Sequence, residues 1–393
     1  MKNSKALIFL SVVMLVNSIS YGTIIPLLYP FAERFGVGPL QLSWLITSFS
    51  LAQFLATPII GRLSDRYGRK PLLLISLLGS SLSLVLFAMS ENITMLFLSR
   101  ILDGVTGGNY SVAQAVIADS TQEGKERTKA YGILGASFGV GFLLGPAIGG
   151  FMSKISLSAP FWFAAGLALL GVLLGLAFLT ETNTNQGKAS REPLFNFKAM
   201  IKTLSAPVIG TVLLVSFLAT IAQNSWVIGF QSFTVDELKL DTTTIGLIFS
   251  LIGLTSIIVQ GVGIRVLLDK VSNKKLILQV SLLLCTIVMG LLGLTHSLIP
   301  FLIVIVFYSI VSAPLLAVTS SLLSEGTRAE DQGGIMGINQ SYSSLGQIIG
   351  PLLAGVIAER SINAVFLLSG LMIGLALLAS QKLGEKAAKP VNL

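Results

Sequence analysis

Gly61 to Lys70 read GRLSDRYGRK, with five charged side chains in ten residues: Arg62, Asp65, Arg66, Arg69 and Lys70. The surrounding chain of 393 residues is only 11% charged and 53% apolar, with a mean hydropathy of +0.84. A soluble domain carries about 25% charged residues, and this chain lacks the side chains to cover a core of its size with a wetted surface. Hydrocarbon is the solvent that suits it. The charged stretch is therefore a polar turn between two apolar runs, and the apolar runs decide the fold.

A bilayer span takes about 20 mostly apolar residues. Reading from one charged or turn-rich gap to the next gives twelve, at about 6–32, 40–61, 71–90, 94–118, 129–152, 159–180, 206–234, 243–267, 275–295, 299–324, 333–358 and 361–381. Backbone that faces lipid must satisfy its own hydrogen bonds, so these are helices. No run shows the alternation of about ten residues that a barrel strand requires. The N-terminal MKNSKALIFLSVVMLVNSIS has the basic start and apolar stretch of a signal peptide. Its apolar run continues to about residue 32, so it is read as a retained first span.

The longest polar gap, 181–205, divides the chain into an N-terminal six-helix bundle (1–180), a cytoplasmic linker loop (181–205) and a C-terminal six-helix bundle (206–393). With the N-terminus in the cytoplasm, every one of the 26 basic residues except Arg34, Arg100, Lys154, Lys239 and Arg360 falls on the cytoplasmic side. This bias fixes the topology, with both termini inside.

The two bundles repeat one another. GFLLGPAIGG (Gly141 to Gly150) returns as GQIIGPLLAG (Gly346 to Gly355), and Gly132 returns as Gly337 at the same spacing. Asp65 has its counterpart one residue out of that register, at Asp269. Such a duplicated unit is common among secondary transporters, which place the substrate site between repeats near the midplane.

Composition excludes other classes. The net charge of +8 lies in short gaps, with no basic face for nucleic acid. One cysteine (Cys285) and one histidine (His296) rule out a disulfide framework and a metal cluster and leave little material for nucleophilic or metal catalysis. No cofactor is expected.

GRLSDRYGRKPLL resembles the loop signature of the major facilitator superfamily, G-x-L-a-D-r-x-G-r-k-x-x-l, and lies between spans two and three, as in that family. LSRILDGVTGGN, from Leu98, resembles the fourth-span motif built on an arginine. GFLLGPAIGG resembles the fifth-span motif of the antiporter branch, and ADSTQEGKERTKAYG (118–132) is similar to the drug–proton antiporters, tetracycline-efflux types above all. The resemblance implies an all-α polytopic fold of twelve helices in two pseudo-symmetric bundles, working as a monomer in a bacterial cytoplasmic membrane.

It also implies roles for the charged turn. The family's equivalent of Asp65 sits at the N-terminus of the eleventh helix, where partial positive charge favours a carboxylate. The family's arginine, here Arg69, pairs with an acid at the cytoplasmic end of the fourth span, here Asp119. Gly61 and Gly68 are expected to allow close approach and positive φ in a tight turn. Gly61, Asp65, Arg66, Gly68, Arg69 and Asp119 would then form a latch on alternating access. Arg66, Arg69 and Lys70 could also simply hold the loop to anionic headgroups. The second copy, RVLLDKVSNKK, has Asn273 opposite the second arginine, and any latch there should be weaker.

Gly141, Gly145 and Gly149 form a small-residue ridge, followed by Gly150, and Pro146 lacks the N–H of a regular turn. Spacing alone is compatible with ordinary helix packing. The repeat at Gly350 and Pro351 and the family match favour a close-packed bend on which the bundles rock.

Arg100 and Asp103 are the charged residues well inside a span. A charge at that depth costs roughly 2.5–3.5 kcal/mol on insertion scales. Three apart, they share a helix face, and two readings stand: a structural bridge, or a proton carrier (Asp103) tuned by Arg100. On a continuous helix, Gly107, Ser111 and Gln114 extend their stripe, and Asn109 falls on the opposite face. Drug–proton relatives often carry a first-span acid where this chain has Asn17, which argues against cation-selective recognition. Asn17 and Tyr21, Gln223 and Trp226, and Asn339 and Tyr342 are expected to line a largely apolar, aromatic pocket for drug-like substrates. The expected activity is proton-coupled export of small amphipathic molecules. The alternative is a facilitator or proton-linked permease for a sugar or other polar metabolite.

Overall fold

The computed structural model describes residues 4–121, 125–183, 197–206, 208–271, 273–327 and 332–383. Among the described residues sixteen α-helices follow one another: α1 (Ser4–Ile24), α2 (Leu28–Ala32), α3 (Pro39–Tyr67), α4 (Arg69–Ala88), α5 (Ile93–Thr106), α6 (Asn109–Ser120), α7 (Lys125–Met152), α8 (Ala159–Phe178), α9 (Phe197–Leu204), α10 (Ile209–Ser232), α11 (Thr242–Ile258), α12 (Ile264–Lys270), α13 (Lys274–Leu292), α14 (Leu298–Glu325), α15 (Gln332–Ala358) and α16 (Ile362–Ser380). Eleven helical stretches among the described residues are long and apolar enough to cross a bilayer. The twelfth, the fourth span, is split into α5 and α6 at Gly107–Gly108, so neither piece reaches spanning length.

The chain forms two compact units. One comprises residues 1–37, 48–194 and 240–253; the other comprises 38–47, 195–239 and 254–393. In the first unit α1 packs on α7 and α8, and α4 packs on α5 and α8. In the second, α10 packs on α15 and α16, and α13 packs on α14 and α16. The pairing of first with fifth span thus recurs as seventh with eleventh. Buried phenylalanines mark the repeat too. Phe31, Phe87 and Phe161 cluster in the first unit with ring centroids 4.6–5.1 Å apart. Phe233, Phe301 and Phe366 cluster in the second. Large apolar side chains also cover the outside, with Leu294, Ile299 and Leu316 each at least 70% exposed. In water such a surface would aggregate, and in lipid it costs nothing.

The glycine ridge of α7 lies against α1. A Cβ on Gly145 would come within 2.6–2.8 Å of the Gly22 and Thr23 backbone, and Gly141 and Gly149 abut Ser18 and Thr23 just as tightly. The second unit repeats this with Gly346 on Thr220 and Gly350 on Ile221 and Asn224. Ser225 donates a hydrogen bond to the Gly350 carbonyl. Pro146 and Pro351 both lie inside their helices. Gly150 faces the first residues of α11 instead, and the Thr243 hydroxyl donates to its carbonyl at 2.9 Å.

Residues 184–196 of the linker and the two termini lie outside the described residues. The described remainder of the linker is not all loop: it contains α9, eight residues long.

Candidate functional site

The first unit contains a half-open cavity of about 350 Å3. Its wall is built from α1 (Asn17, Ser20, Tyr21), α3 (Phe49, Gln53), α5 (Asp103), α6 (Asn109, Tyr110) and α7 (Phe138), with Ser80 and Leu84 of α4. Asp103 is the sole carboxylate among the lining residues. Its Oδ2 accepts from Arg100 Nη2 at 2.5 Å, and both residues are buried, at 7% and 5% exposure. The Arg100 guanidinium lies over the rings of Phe49 and Phe87, 5.1 and 5.7 Å from their centroids. Its Nε has no hydrogen-bond partner among the described residues. Arg100 is therefore held by one carboxylate and two π faces.

The break in the fourth span reorganises this wall. Gln53 Nε2 donates to the Gly107 carbonyl at 3.0 Å and so satisfies an acceptor that the interrupted helix leaves free. Gly104 and Gly108 admit α3 closely: a Cβ on Gly104 would stand 2.7 Å from that of Ala52, and one on Gly108 2.6 Å from a methyl of Ile60. Beyond the break the helical phase restarts, which overturns the exclusion of Asn109. Asn109 lines the cavity instead of facing away, and Ser111 and Gln114 are not among the lining residues. The Ser111 hydroxyl bonds back to the Gly108 carbonyl, and the Gln114 carbonyl accepts from Tyr131. Asn17 and Tyr21 do line the cavity.

The second-half residues lie in the second unit, Gln223 and Trp226 beside Tyr308 of α14 and Tyr342 against α9. Tyr308 donates to Gln223 Oε1 at 3.0 Å and stacks near Trp226, whose indole N–H is buried without a partner among the described residues. The Asn339 side-chain oxygen Oδ1 is likewise buried without a partner among the described residues. Tyr342 donates to the Met200 carbonyl of α9 at 3.1 Å, so its hydroxyl is occupied by a main-chain contact.

At the charged turn, Arg69 reaches Asp65 at 2.5 Å through Nη1 and Asp119 at 2.9 Å through Nε, and also donates to the Ser64 hydroxyl. Gly68 has φ of +108°, which needs glycine. Gly61 differs from expectation: it lies within α3, its φ is not positive, and a Cβ there would meet nothing within 4 Å. The Arg66 guanidinium lies over the ring of Tyr67. Residues 328–331, just before α15, and the Asp269 side chain lie outside the described set.

Sequence reasoning missed Glu181. Its carboxylate accepts from the backbone N–H groups of Arg69, Lys70, Thr182 and Asn183, at 2.8–3.1 Å, and so caps α4 from a distant segment. Burial alone would raise its pKa, but these four donors outweigh that and hold the carboxyl below its ordinary value. Asn183 closes the turn by donating to the Asp65 carbonyl at 2.8 Å. Also missed was the ion pair of Lys274 with Glu325, supported by Ser321. The glycine-motif register relates Lys274 to Arg69; the register set by Asp269, one residue shorter, had placed Asn273 there. Asn273 instead caps α13 through the Leu276 N–H.

A helical membrane protein made of two repeated units, with a buried ion-paired carboxylate in the wall of a largely apolar cavity, is a secondary carrier in architecture. A profile of the Major Facilitator Superfamily matches residues 10–265 and 212–391, and the chain belongs to that superfamily. It is 27% identical to "Multidrug resistance protein 2" of Bacillus subtilis over 381 residues, 95% of this chain and 94% of the relative. It is 30% identical to "Tetracycline resistance protein, class H" of Pasteurella multocida over 377 residues, 91% and 90% of the two chains. Among solved structures, the human organic anion transporter MFSD10 (TETRAN) superposes with a TM-score of 0.73 at 24% identity, covering 96% of this chain and 99% of that one. The nucleoside transporter NupG reaches 0.80 at 12%, with the same coverage. These two likenesses establish the fold alone.

Proposed function

We propose that the chain exports small amphipathic, drug-like molecules across a bacterial cytoplasmic membrane in exchange for protons, by alternating access, as a monomer with both termini in the cytoplasm. The observation that carries this reading is Asp103, the one carboxylate in the wall of an aromatic cavity and ion-paired to Arg100. The names of the tetracycline and multidrug resistance relatives support the substrate class.

The chemistry follows from charge. With Asp103 ionised, the pair contributes no net charge to the cavity. With Asp103 protonated, Arg100 is left as an uncompensated cation in low dielectric, softened by Phe49 and Phe87. That state repels a substrate that turns a positive dipole end towards the pair, so for such a substrate binding and protonation exclude one another, which is the requirement for exchange. Tyr21, Phe49, Tyr110 and Phe138 supply apolar contact area, and Asn17, Gln53 and Asn109 supply neutral hydrogen-bonding groups. Asp65, Arg69 and Asp119 would lock the cytoplasmic ends of the helices in one state and release them in the other.

The test is Asp103→Asn in proteoliposomes. Uphill transport driven by a pH gradient should be abolished, while substrate exchange without net proton movement survives, because the amide resembles the protonated acid. Wild-type accumulation would reduce Arg100 and Asp103 to a structural bridge. The three amides in the wall give a sugar or other polar metabolite a specific claim as substrate. A panel of drug susceptibilities in a pump-deficient host, with proton-dependent efflux of a hydrophobic dye, separates the two readings.

A further inference from the structure

The helix α9 has no role in the cavity or in the charged turn, yet its surface is unlike that of a soluble linker. Met200 and Thr203 are buried, whereas Ile201 is 69% and Leu204 40% exposed. At 100° per residue Ile201 and Leu204 lie within one narrow arc of about 60°, and the exposed Lys202 stands about 100° round the helix from Ile201, from where its long stem can reach back. The arc sits at the entrance to the bilayer. The first spanning residue of α10 is Ile209, and Leu204 is so close to that helix that a Cβ on Gly210 would stand 2.6 Å from its carbonyl carbon. A helix end in contact with the start of a span lies at headgroup depth. There an exposed isoleucine and leucine reach the acyl boundary and a flanking lysine reaches phosphate.

Charge selects the kind of lipid. The linker carries Lys188, Arg191, Lys198 and Lys202 against Glu181 and Glu192, and Glu181 is already engaged in capping α4. A net basic segment beside a membrane is drawn to an anionic surface. The helix is also tied to a span, since the buried Tyr342 hydroxyl of α15 donates to the Met200 carbonyl at 3.1 Å. We propose that α9 docks on anionic phospholipid through Ile201, Leu204 and Lys202, and that the Tyr342–Met200 hydrogen bond fastens this surface anchor to the eleventh span.

The native thiol, Cys285, is fully buried, so a Ser205→Cys variant of the full chain can be labelled at one exposed position next to the arc. The labelled protein is placed in vesicles of phosphatidylcholine, with or without one quarter phosphatidylglycerol. Fluorescence is then challenged with a lipid bearing a nitroxide near the headgroup and with aqueous iodide. With phosphatidylglycerol present, the nitroxide lipid should quench and iodide should not. Lys202→Gln should lower the docked-to-undocked ratio about fivefold, as expected for one basic residue at an anionic surface. Lys202→Arg should restore it, and high salt should mimic the loss. Ile201→Ser with Leu204→Ser should transfer quenching to iodide. Tyr342→Phe should leave the quenching pattern in place but lower the label's anisotropy. Iodide quenching that is the same in both vesicles would overturn the lipid assignment. Protection from both quenchers would place another part of the chain over the arc and overturn it equally. Unchanged anisotropy in Tyr342→Phe would remove the fastening.

Discussion

Gly145→Ala is the smallest change that should stop α1 and α7 from meeting. The added Cβ would stand 2.6 Å from the Gly22 carbonyl carbon, 2.7 Å from Thr23 N and 2.8 Å from Gly22 Cα. All three are backbone atoms, so no side chain can turn aside. Restoring ordinary contact at about 3.4 Å means parting the helices locally by about 0.8 Å. Gly141 and Gly149 sit one turn away on either side, against Ser18 and Thr23, so the separation loosens the whole seam. Overpacking of this kind costs typically about 1–3 kcal/mol, partly offset by the roughly 0.5–1 kcal/mol that alanine gains over glycine within a helix. Gly135 is the internal control. It lies on the same helix, and a Cβ there would meet nothing within 4 Å. Gly135→Ala should therefore be neutral or stabilising by up to about 1 kcal/mol. The assay is the unfolding midpoint of each variant in the same detergent, followed by dye efflux. Gly145→Ala should unfold earlier than wild type and lose efflux, with Gly145→Leu more severe on both counts. If Gly145→Ala matches Gly135→Ala in stability and pumps at wild-type rate, the seam is not a close-packed contact and the argument fails.

Two further outcomes follow from the charged turn. Arg69→Ala and Asp119→Ala should each reduce efflux sharply at normal expression, and the double variant should cost little more than either alone, with a coupling of about 0.5–3 kcal/mol for groups in one network; fully additive losses would separate the pair. Glu181 titrates below its ordinary range in the folded chain, so its contribution to stability is complete above the ordinary carboxylate pKa and is lost as pH falls through the depressed value. Unfolding midpoints measured across the acid range should show that loss in wild type and not in Glu181→Gln, and parallel curves would refute the capping role.

What the sequence made legible, and what it did not, divides along a physical line. Apolar length and the basic bias of the gaps revealed the spans because the bilayer imposes them residue by residue. The salt bridge of Arg100 and Asp103 was legible because their spacing of three is local. The pairing of Arg69 with Asp119 came from family likeness, since no local pattern joins a loop to the end of another helix. Glu181 was illegible for the same reason: its four donors lie on its own turn and on α4, more than a hundred residues away. Lys274 and Glu325 were in principle within reach, because the glycine register of the repeat carries Arg69 onto Lys274, but the Asp65–Asp269 landmark is one residue out of that register.

The fourth span shows most plainly why periodicity fails where function concentrates. A stripe drawn at 100° per residue holds only while each turn hydrogen-bonds to the one before. Two consecutive glycines at 107 and 108 end that chain of bonds, and Gln53 of α3 takes over the free carbonyl of Gly107. The phase that put Asn109 behind the helix is cancelled, and the residue swings into the wall beside Asp103 and Tyr110. Glycine at both positions was visible in the sequence; what was not visible is that a side chain from another span would meet the exposed acceptor. A break in lipid is tolerated only where a neighbour or a water-filled cavity satisfies the freed backbone, and here Gln53 is that neighbour. The interruption therefore belongs with the cavity, which Gln53 and Asp103, the carboxylate one turn before the break, both line.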